Sequence, residues 1–252
     1  MGVIARAVLL GLVAGLGLIG YLVIRPAEPW MLWLTAGLVA LAVDGTVRSS
    51  PKWDDLPFAD SVVYVFLPAL AVLGAGLFAD NAVSGYARPI SGAAGAVLVG
   101  MVAFGEYHTV DYGSRLYGPM RLLLAIATYL TAFALYTVIF TRATELPAAA
   151  LAVGLVSMAL SMELLRESRL SAVSSVLIGL AVGVSIAEFR IALYFFALDG
   201  LLAGALLIIG FYLATGLIHH LLDHDLELGT TAEYVLVAAV ATAAVVFTRV
   251  FV

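Results

Sequence analysis

The 252-residue chain contains no cysteine, so disulfide bonds and thiolate-bound metal sites are excluded. Charge is also scarce: charged residues make up 12%, whereas a soluble domain carries about a quarter. The formal net charge of −5 is spread over many short segments, and we therefore expect no nucleic-acid partner. The one lysine, Lys52, lies in a polar segment, which excludes a retinal Schiff base within a membrane span.

Several motifs of known chemistry are missing as well. The sequence has no glycine-rich phosphate loop, no nucleophile elbow and no His-Glu-x-x-His motif. The central portions of its apolar runs contain no Asp, Glu, Lys, Arg or His. Coupled transporters place their binding groups near the membrane midplane, so these uncharged centres count against an ion-coupled transporter.

What the chain has instead is apolar sequence arranged in long blocks. Hydrophobic residues make up 63%, and runs of about 18 or more such residues are typical of transmembrane helices. In lipid each span must satisfy its own backbone hydrogen bonds, so helices are expected throughout. Nine spans are predicted, at residues 5–24, 29–47, 60–79, 91–110, 118–141, 146–165, 170–187, 197–222 and 231–251.

The join between the seventh and eighth spans is the ambiguous part of this map. Residues 188–199, EFRIALYFFALD, fit either a short interfacial helix or an extension of the seventh span, and eight spans is the alternative count. The polar connections are too short for a soluble domain. We predict an all-α polytopic helical bundle that forms a single transmembrane domain over residues 1–252.

The positive residues between the spans indicate the orientation. If the N-terminus is cytoplasmic, seven of the twelve Lys and Arg residues face the cytoplasm, which the positive-inside rule favours. We therefore predict a cytoplasmic N-terminus in a cytoplasmic membrane of bacterial type. We expect the lipid bilayer to surround the protein.

Ionisable residues concentrate where the even-numbered spans end. The fourth span ends in GEYHTVDYGSR, the sixth in SMELLRESR and the eighth in GLIHHLLDHDLELG. Because even-numbered spans all run in the same direction, their C-terminal ends share one membrane face. We therefore predict that all four histidines lie at that face, namely His108, His219, His220 and His224.

The spacing of these residues fits a metal site. His220 and His224 are four apart and His108 and Asp111 three apart, so each pair shares one helix face. Imidazoles one turn apart can bind one ion, and Zn²⁺ is the candidate. Glu163 and Asp223 are the candidate catalytic residues, as a base or as a group that orients an imidazole. Alternatively, these residues are solvated groups at the headgroup level, where polar side chains are expected.

The placing of histidines at two helix ends resembles that in seven-helix membrane metallohydrolases of the ceramidase and adiponectin-receptor type. That resemblance implies hydrolysis at a metal held between helices. The number of spans and the histidine spacing differ in this sequence, so no residue is assigned a role from the resemblance.

Glycine is abundant, at 24 residues, and pairs of glycines four apart recur within the spans. Such pairs let helix backbones approach closely in lipid. They indicate packing within the chain or, alternatively, the interface of a homo-oligomer. The pairs are Gly11 and Gly15, Gly179 and Gly183, and Gly200 and Gly204.

Three functions fit these observations. The first is an inner-leaflet enzyme that acts on a lipid or lipid-linked substrate through the His, Asp and Glu residues. The second is a non-enzymatic membrane subunit or scaffold that packs against other membrane proteins. The third is an uncoupled transporter or channel.

Overall fold

The computed structural model describes residues 2–24, 26–53, 63–143, 145–168, 171–196, 198–222 and 228–251. Within these ranges the chain is largely helical, with nine α-helices and no strand, which confirms the all-α prediction. The α-helices are α1 (Val3–Val23), α2 (Pro29–Val47), α3 (Val63–Ala82), α4 (Ala87–His108), α5 (Tyr117–Arg142), α6 (Leu146–Leu164), α7 (Ala172–Tyr194), α8 (Gly200–Leu222) and α9 (Leu228–Phe251).

In the described ranges, α1 to α8 are long and apolar enough to cross a membrane. Helix α9 has 24 residues, of which Thr231–Ala243 form an apolar stretch among the residues whose side chains are described. A helix needs about 20 predominantly apolar residues to cross the hydrocarbon core. The protein is therefore an integral membrane protein with eight candidate spans among the described residues, and the ninth predicted span, at 231–251, stays a prediction.

The ambiguous segment after the seventh span is a helix extension for most of its length. Helix α7 continues through Arg190 to Tyr194. Arg190 is 2% exposed, and its guanidinium carbon lies 4.1 Å from the ring centroid of Phe140 on α5. A charged residue at membrane depth has to pair or face protein. Because the Arg190 side chain faces protein and rests on an aromatic ring, the charge does not end the helix.

Helix starts follow the local sequence. Proline lies in the first turn of α2, at Pro29, and of α6, at Pro147. The N–H that proline lacks would have no intrahelical partner there, so proline is tolerated. Ser171 caps α7, because its hydroxyl accepts a hydrogen bond of 3.2 Å from the Ser174 N–H. Pro68 lies inside α3, which continues through it.

The chain divides into two compact units, and the first covers Met1–Ala134. In unit 1, α1 packs mainly against α4, and α2 packs against α1 and α3. A Cβ added to Gly11 would lie 3.1 Å from the Ala96 carbonyl oxygen, and one added to Gly100 would lie 3.3 Å from the Ala7 carbonyl oxygen. Close approach of α1 and α4 therefore depends on glycine at both positions.

The second unit covers Leu135–Val252. In unit 2, α6 packs mainly against α7, and α8 packs against α7 and α9. A Cβ on Gly183 would lie 2.6 Å from the Gly154 carbonyl oxygen, and Gly204 faces Thr137 of α5. All three glycine pairs found in the sequence thus contact a neighbouring helix of the chain, which confirms their role in intrachain packing. The single domain over 1–252 stays a prediction.

Candidate interfacial site

In unit 2, the ends of α6 and α8 bring polar side chains together. Helix α6 is followed directly by a 3-10 helix, Leu165–Ser168, which packs against α6 and α8. At its end the Ser168 hydroxyl oxygen lies 3.4 Å from Nδ1 of His219, a residue 51 positions later in the chain. The 3-10 turn therefore places a hydroxyl beside an imidazole near the end of a candidate membrane span.

A buried ion pair lies at the base of this turn. Arg166 donates a hydrogen bond of 2.9 Å to Glu163, and the two side chains are 9% and 1% exposed. Two charges removed from water are tolerated only when they compensate each other. The carboxylate of Glu163, a predicted catalytic residue, is thus engaged by Arg166.

His220, the residue after His219, packs against aromatic rings. The His220 ring lies 5.4 Å from the ring of Tyr234 on α9, and Tyr234 stacks on Tyr212 at 5.2 Å. Gly216, one turn before His220, faces Tyr234 so closely that a side chain there would collide with its ring. The start of α9 is therefore fitted against the C-terminal half of α8.

The predicted ligands of unit 1 have local contacts. His108, the last residue of α4, meets the rings of Phe104 at 4.4 Å and Tyr107 at 5.3 Å. The Asp111 carboxylate accepts a hydrogen bond of 2.9 Å from the Gly113 N–H, which closes a turn after the helix. Both residues thus take part in the structure at this end of α4.

The predicted metal site is divided among three parts of the chain. His108 and Asp111 belong to unit 1 and His220 to unit 2, whereas His224 and Asp223 lie outside the described residues. Among the residues that the structure describes, no three His, Asp or Glu side chains are grouped as metal ligands. Zn²⁺ binding therefore stays a prediction.

The contact between Ser168 and His219 was missed from the sequence. Ser168 follows Glu167 in a polar segment and belongs to no catalytic motif. Its position depends on the 3-10 turn that follows α6 and on packing of that turn against α8. No local sequence signal predicts such a long-range contact. The buried pair of Glu163 and Arg166, by contrast, lies within the charged segment SMELLRESR.

Residues 8–248 match the model of a family described as "Protein of unknown function (DUF5656)", and the chain therefore belongs to that family. No curated protein and no solved structure matches the chain.

Proposed function

We propose that this DUF5656 member is a membrane enzyme that cleaves or transfers an ester of a lipid or lipid-linked substrate at the membrane interface. The observation that carries the proposal is the 3.4 Å contact between the Ser168 hydroxyl and the His219 imidazole. A hydroxyl within reach of a base is the arrangement of an activated nucleophile, and in unliganded enzymes this contact is often long.

The two side chains have complementary roles in the reaction. His219 takes the Ser168 proton as the serine oxygen attacks the carbonyl carbon of the ester. The bond from that carbon to the alcohol oxygen then breaks, and His219 returns the proton to the departing alcohol. Water, deprotonated by His219, then attacks the acyl carbon, the bond from that carbon to the Ser168 oxygen breaks, and His219 returns the proton to that oxygen as the acid leaves. General base catalysis of this kind contributes about 10²–10⁴-fold to the rate.

The position of the pair supports a lipid substrate. Ser168 follows α6 and His219 lies near the end of α8, and both helices are long and apolar enough to cross a membrane. Helix ends of this kind lie in the interfacial region, which flanks the hydrocarbon core. Ester linkages of membrane lipids lie at the same depth, so substrate would reach the site from within the bilayer.

Turnover of a lipid ester tests the proposal. The purified protein is reconstituted in vesicles that contain a fluorogenic diacyl lipid, and release of the fluorescent chain is followed. We expect Ser168→Ala and His219→Ala to lower the rate at least about 100-fold, as loss of a nucleophile or base requires. Ser185→Ala is the control, because Ser185 is exposed on α7 and its hydroxyl bonds only to the Ala181 carbonyl among the described residues.

Two results would reject the proposed roles: no release by the folded wild-type protein, or equal rates in the wild type and Ser168→Ala. Elemental analysis of the same preparation, purified without a metal-affinity tag, tests the metal-dependent alternative. Stoichiometric zinc lost in His220→Ala and His224→Ala would favour that alternative.

A further inference from the structure

Arg190, near the end of α7 in unit 2, is a buried cation whose donors lack acceptors. The residue is 2% exposed, and its buried Nε and Nη1 have no hydrogen-bond partner among the described residues. The contact of its guanidinium carbon with the Phe140 ring, at 4.1 Å, satisfies neither N–H. Arg166, by contrast, is buried together with the carboxylate of Glu163. Because a buried charge without a partner is costly, Arg190 requires an anion that the described residues do not supply.

The packing of α6 against α7 directs Arg190 toward the start of α6. The two helices run antiparallel, and a Cβ added to Gly154 would lie 3.2 Å from the Gly183 carbonyl oxygen. Arg190 follows Gly183 by seven residues, nearly two full turns, and therefore shares its helix face. Seven residues before Gly154 is Pro147, in the first turn of α6. The Arg190 side chain thus lies at the level of that turn, next to the end of α5.

The first turn of α6 offers further donors to an anion. No side chain caps this helix, because Glu145 at the N-cap makes no hydrogen bond to the turn. The first N–H groups of a helix have no intrahelical partner, and the helix dipole favours negative charge beside them. Proline has no N–H, so Leu146 and Ala148 provide the donors on either side of Pro147. Pro147 and Ala148 are exposed, so an anion can approach the turn from outside.

Two carboxylates at the same end of unit 2 do not neutralise Arg190. Glu188 is exposed and lies two residues before Arg190, on nearly the opposite face of α7. The Asp199 carboxylate accepts a hydrogen bond of 2.8 Å from the Leu202 N–H, at the start of α8. Both acidic groups are thus used or directed elsewhere, and the space between Arg190 and α6 keeps its positive character.

We propose that Arg190 and the first turn of α6 bind a phosphate group, either that of a membrane lipid headgroup or free phosphate. Arginine donors match phosphate oxygens, and helix N-termini bind phosphate through their N–H groups. A phosphate also has enough oxygens to accept from both sets of donors. A carboxylate has only two.

The depth of the site suits a headgroup. Arg190 lies four residues before Tyr194, the last residue of α7, which is about 6 Å along the helix axis. The exposed rings of Tyr194, Phe195 and Phe196 follow, as is typical of the membrane interface. This end of unit 2 is opposite to the end that carries Ser168, so the site does not depend on the proposed activity.

Native mass spectrometry of the full chain in detergent tests the proposal. The probes are phosphatidylglycerol and a diacylglycerol with the same acyl chains but no phosphate. We expect one phosphatidylglycerol to bind at least about 10-fold more tightly than diacylglycerol, because charge-assisted hydrogen bonds are lost without the phosphate. Arg190→Met should abolish this preference. Arg88→Met is the matched control, since Arg88 Nε already donates a hydrogen bond of 2.9 Å to the Val83 carbonyl oxygen in unit 1.

A second arm distinguishes the two sources of phosphate. The melting temperature is measured in inorganic phosphate and in chloride of equal ionic strength. If inorganic phosphate raises the melting temperature of the wild type but not of Arg190→Met, and phosphatidylglycerol shows no preference, the site binds free phosphate. A preference for phosphatidylglycerol assigns the site to a lipid. Either result supports the proposal.

Two further variants separate the donors. Arg190→Lys keeps the charge but loses the two-donor geometry, so its affinity should lie between those of the wild type and Arg190→Met. Ala148→Pro removes one N–H in the first turn, where proline is tolerated, and should weaken binding several-fold. If Arg190→Met does not fold, these two variants decide, and unchanged affinity in both would overturn the proposal.

Other results would overturn the proposal directly. One is equal binding of phosphatidylglycerol and diacylglycerol by the folded wild type, with no effect of inorganic phosphate. Another is an unchanged preference in folded Arg190→Met. A dimer, or a complex with another membrane protein, that dissociates in Arg190→Met without any phosphate effect would also do so, because a carboxylate of the partner would then satisfy the guanidinium.

Discussion

At the scale of single residues, solvent exposure distinguishes ion pairs that are part of the packed interior from ion pairs that are solvated. The Glu163–Arg166 pair is nearly inaccessible, whereas the Asp44–Arg48 pair, with an N–O distance of 2.7 Å, has side chains 29% and 45% exposed. Breaking a buried pair leaves an uncompensated charge, while exposed pairs contribute little. The Glu163–Arg166 pair is therefore expected to matter more for stability than the Asp44–Arg48 pair.

We predict that Glu163→Gln lowers the free energy of unfolding by about 3–5 kcal/mol, because Arg166 then loses the buried carboxylate to which it donates. Asp44→Asn should cost at most about 1 kcal/mol. The double variant Glu163→Gln with Arg166→Met should recover much of the loss, since neither charge remains. Thermal unfolding in one detergent compares the three proteins. Equal losses in Glu163→Gln and Asp44→Asn would contradict the assigned burial.

At the scale of helices, α6 and α7 are in close backbone contact in unit 2. The Gly183 Cα faces the backbone of Gly154, and neither position has space for a methyl group without a shift. We predict that Gly183→Ala destabilises the protein by about 1–3 kcal/mol, the usual effect of overpacking. Gly37→Ala is the control, because a Cβ there meets no described atom within 4 Å. It should be neutral or stabilising by up to about 1 kcal/mol, since alanine favours helix.

The melting temperatures of Gly183→Ala and Gly37→Ala test this prediction. If both substitutions raised stability, the two helices would not be in backbone contact at Gly183.

The helices show how far sequence reasoning reaches. Apolar runs predicted each helix because the hydrocarbon core sets the length of a span and lipid requires internal backbone hydrogen bonds. The end of α7 was ambiguous, since residues 188–199 fit either an extension of the seventh span or a short interfacial helix. The place of Arg190 against Phe140 depends on tertiary packing, which a hydropathy pattern does not contain.

The sequence predicted only part of the candidate site, because the rest of it also depends on tertiary packing. Polar spacing drew attention to the helix ends that carry Glu163, His219 and His220. The contact of Ser168 with His219 depends on how a 3-10 turn packs on α8, and the two residues are 51 positions apart. Asp223 and His224, two of the predicted site residues, lie outside the described residues.

At the scale of the whole molecule, the direction of successive spans predicts which connections share a membrane face. The cysteine-free chain is a ready background for single-cysteine labelling. With eight spans and a cytoplasmic N-terminus, Gly113→Cys and Glu167→Cys should react with a membrane-impermeant maleimide only from the cytoplasmic side. Ser84→Cys and Glu145→Cys should react from the opposite side. If Gly113→Cys and Glu167→Cys reacted from different sides, the histidines of α4 and α8 would not share a face.

The central claim, that the interface holds an activated serine, is tested most directly by covalent labelling. A fluorophosphonate with a long alkyl chain is added to the reconstituted protein, and the modified residue is identified by peptide mass spectrometry. We predict one stoichiometric adduct on Ser168, lost in Ser168→Ala, strongly slowed in His219→Ala and unchanged in Ser185→Ala. A folded wild-type protein that shows no adduct on Ser168, or labelling that His219→Ala leaves unchanged, would contradict the claim.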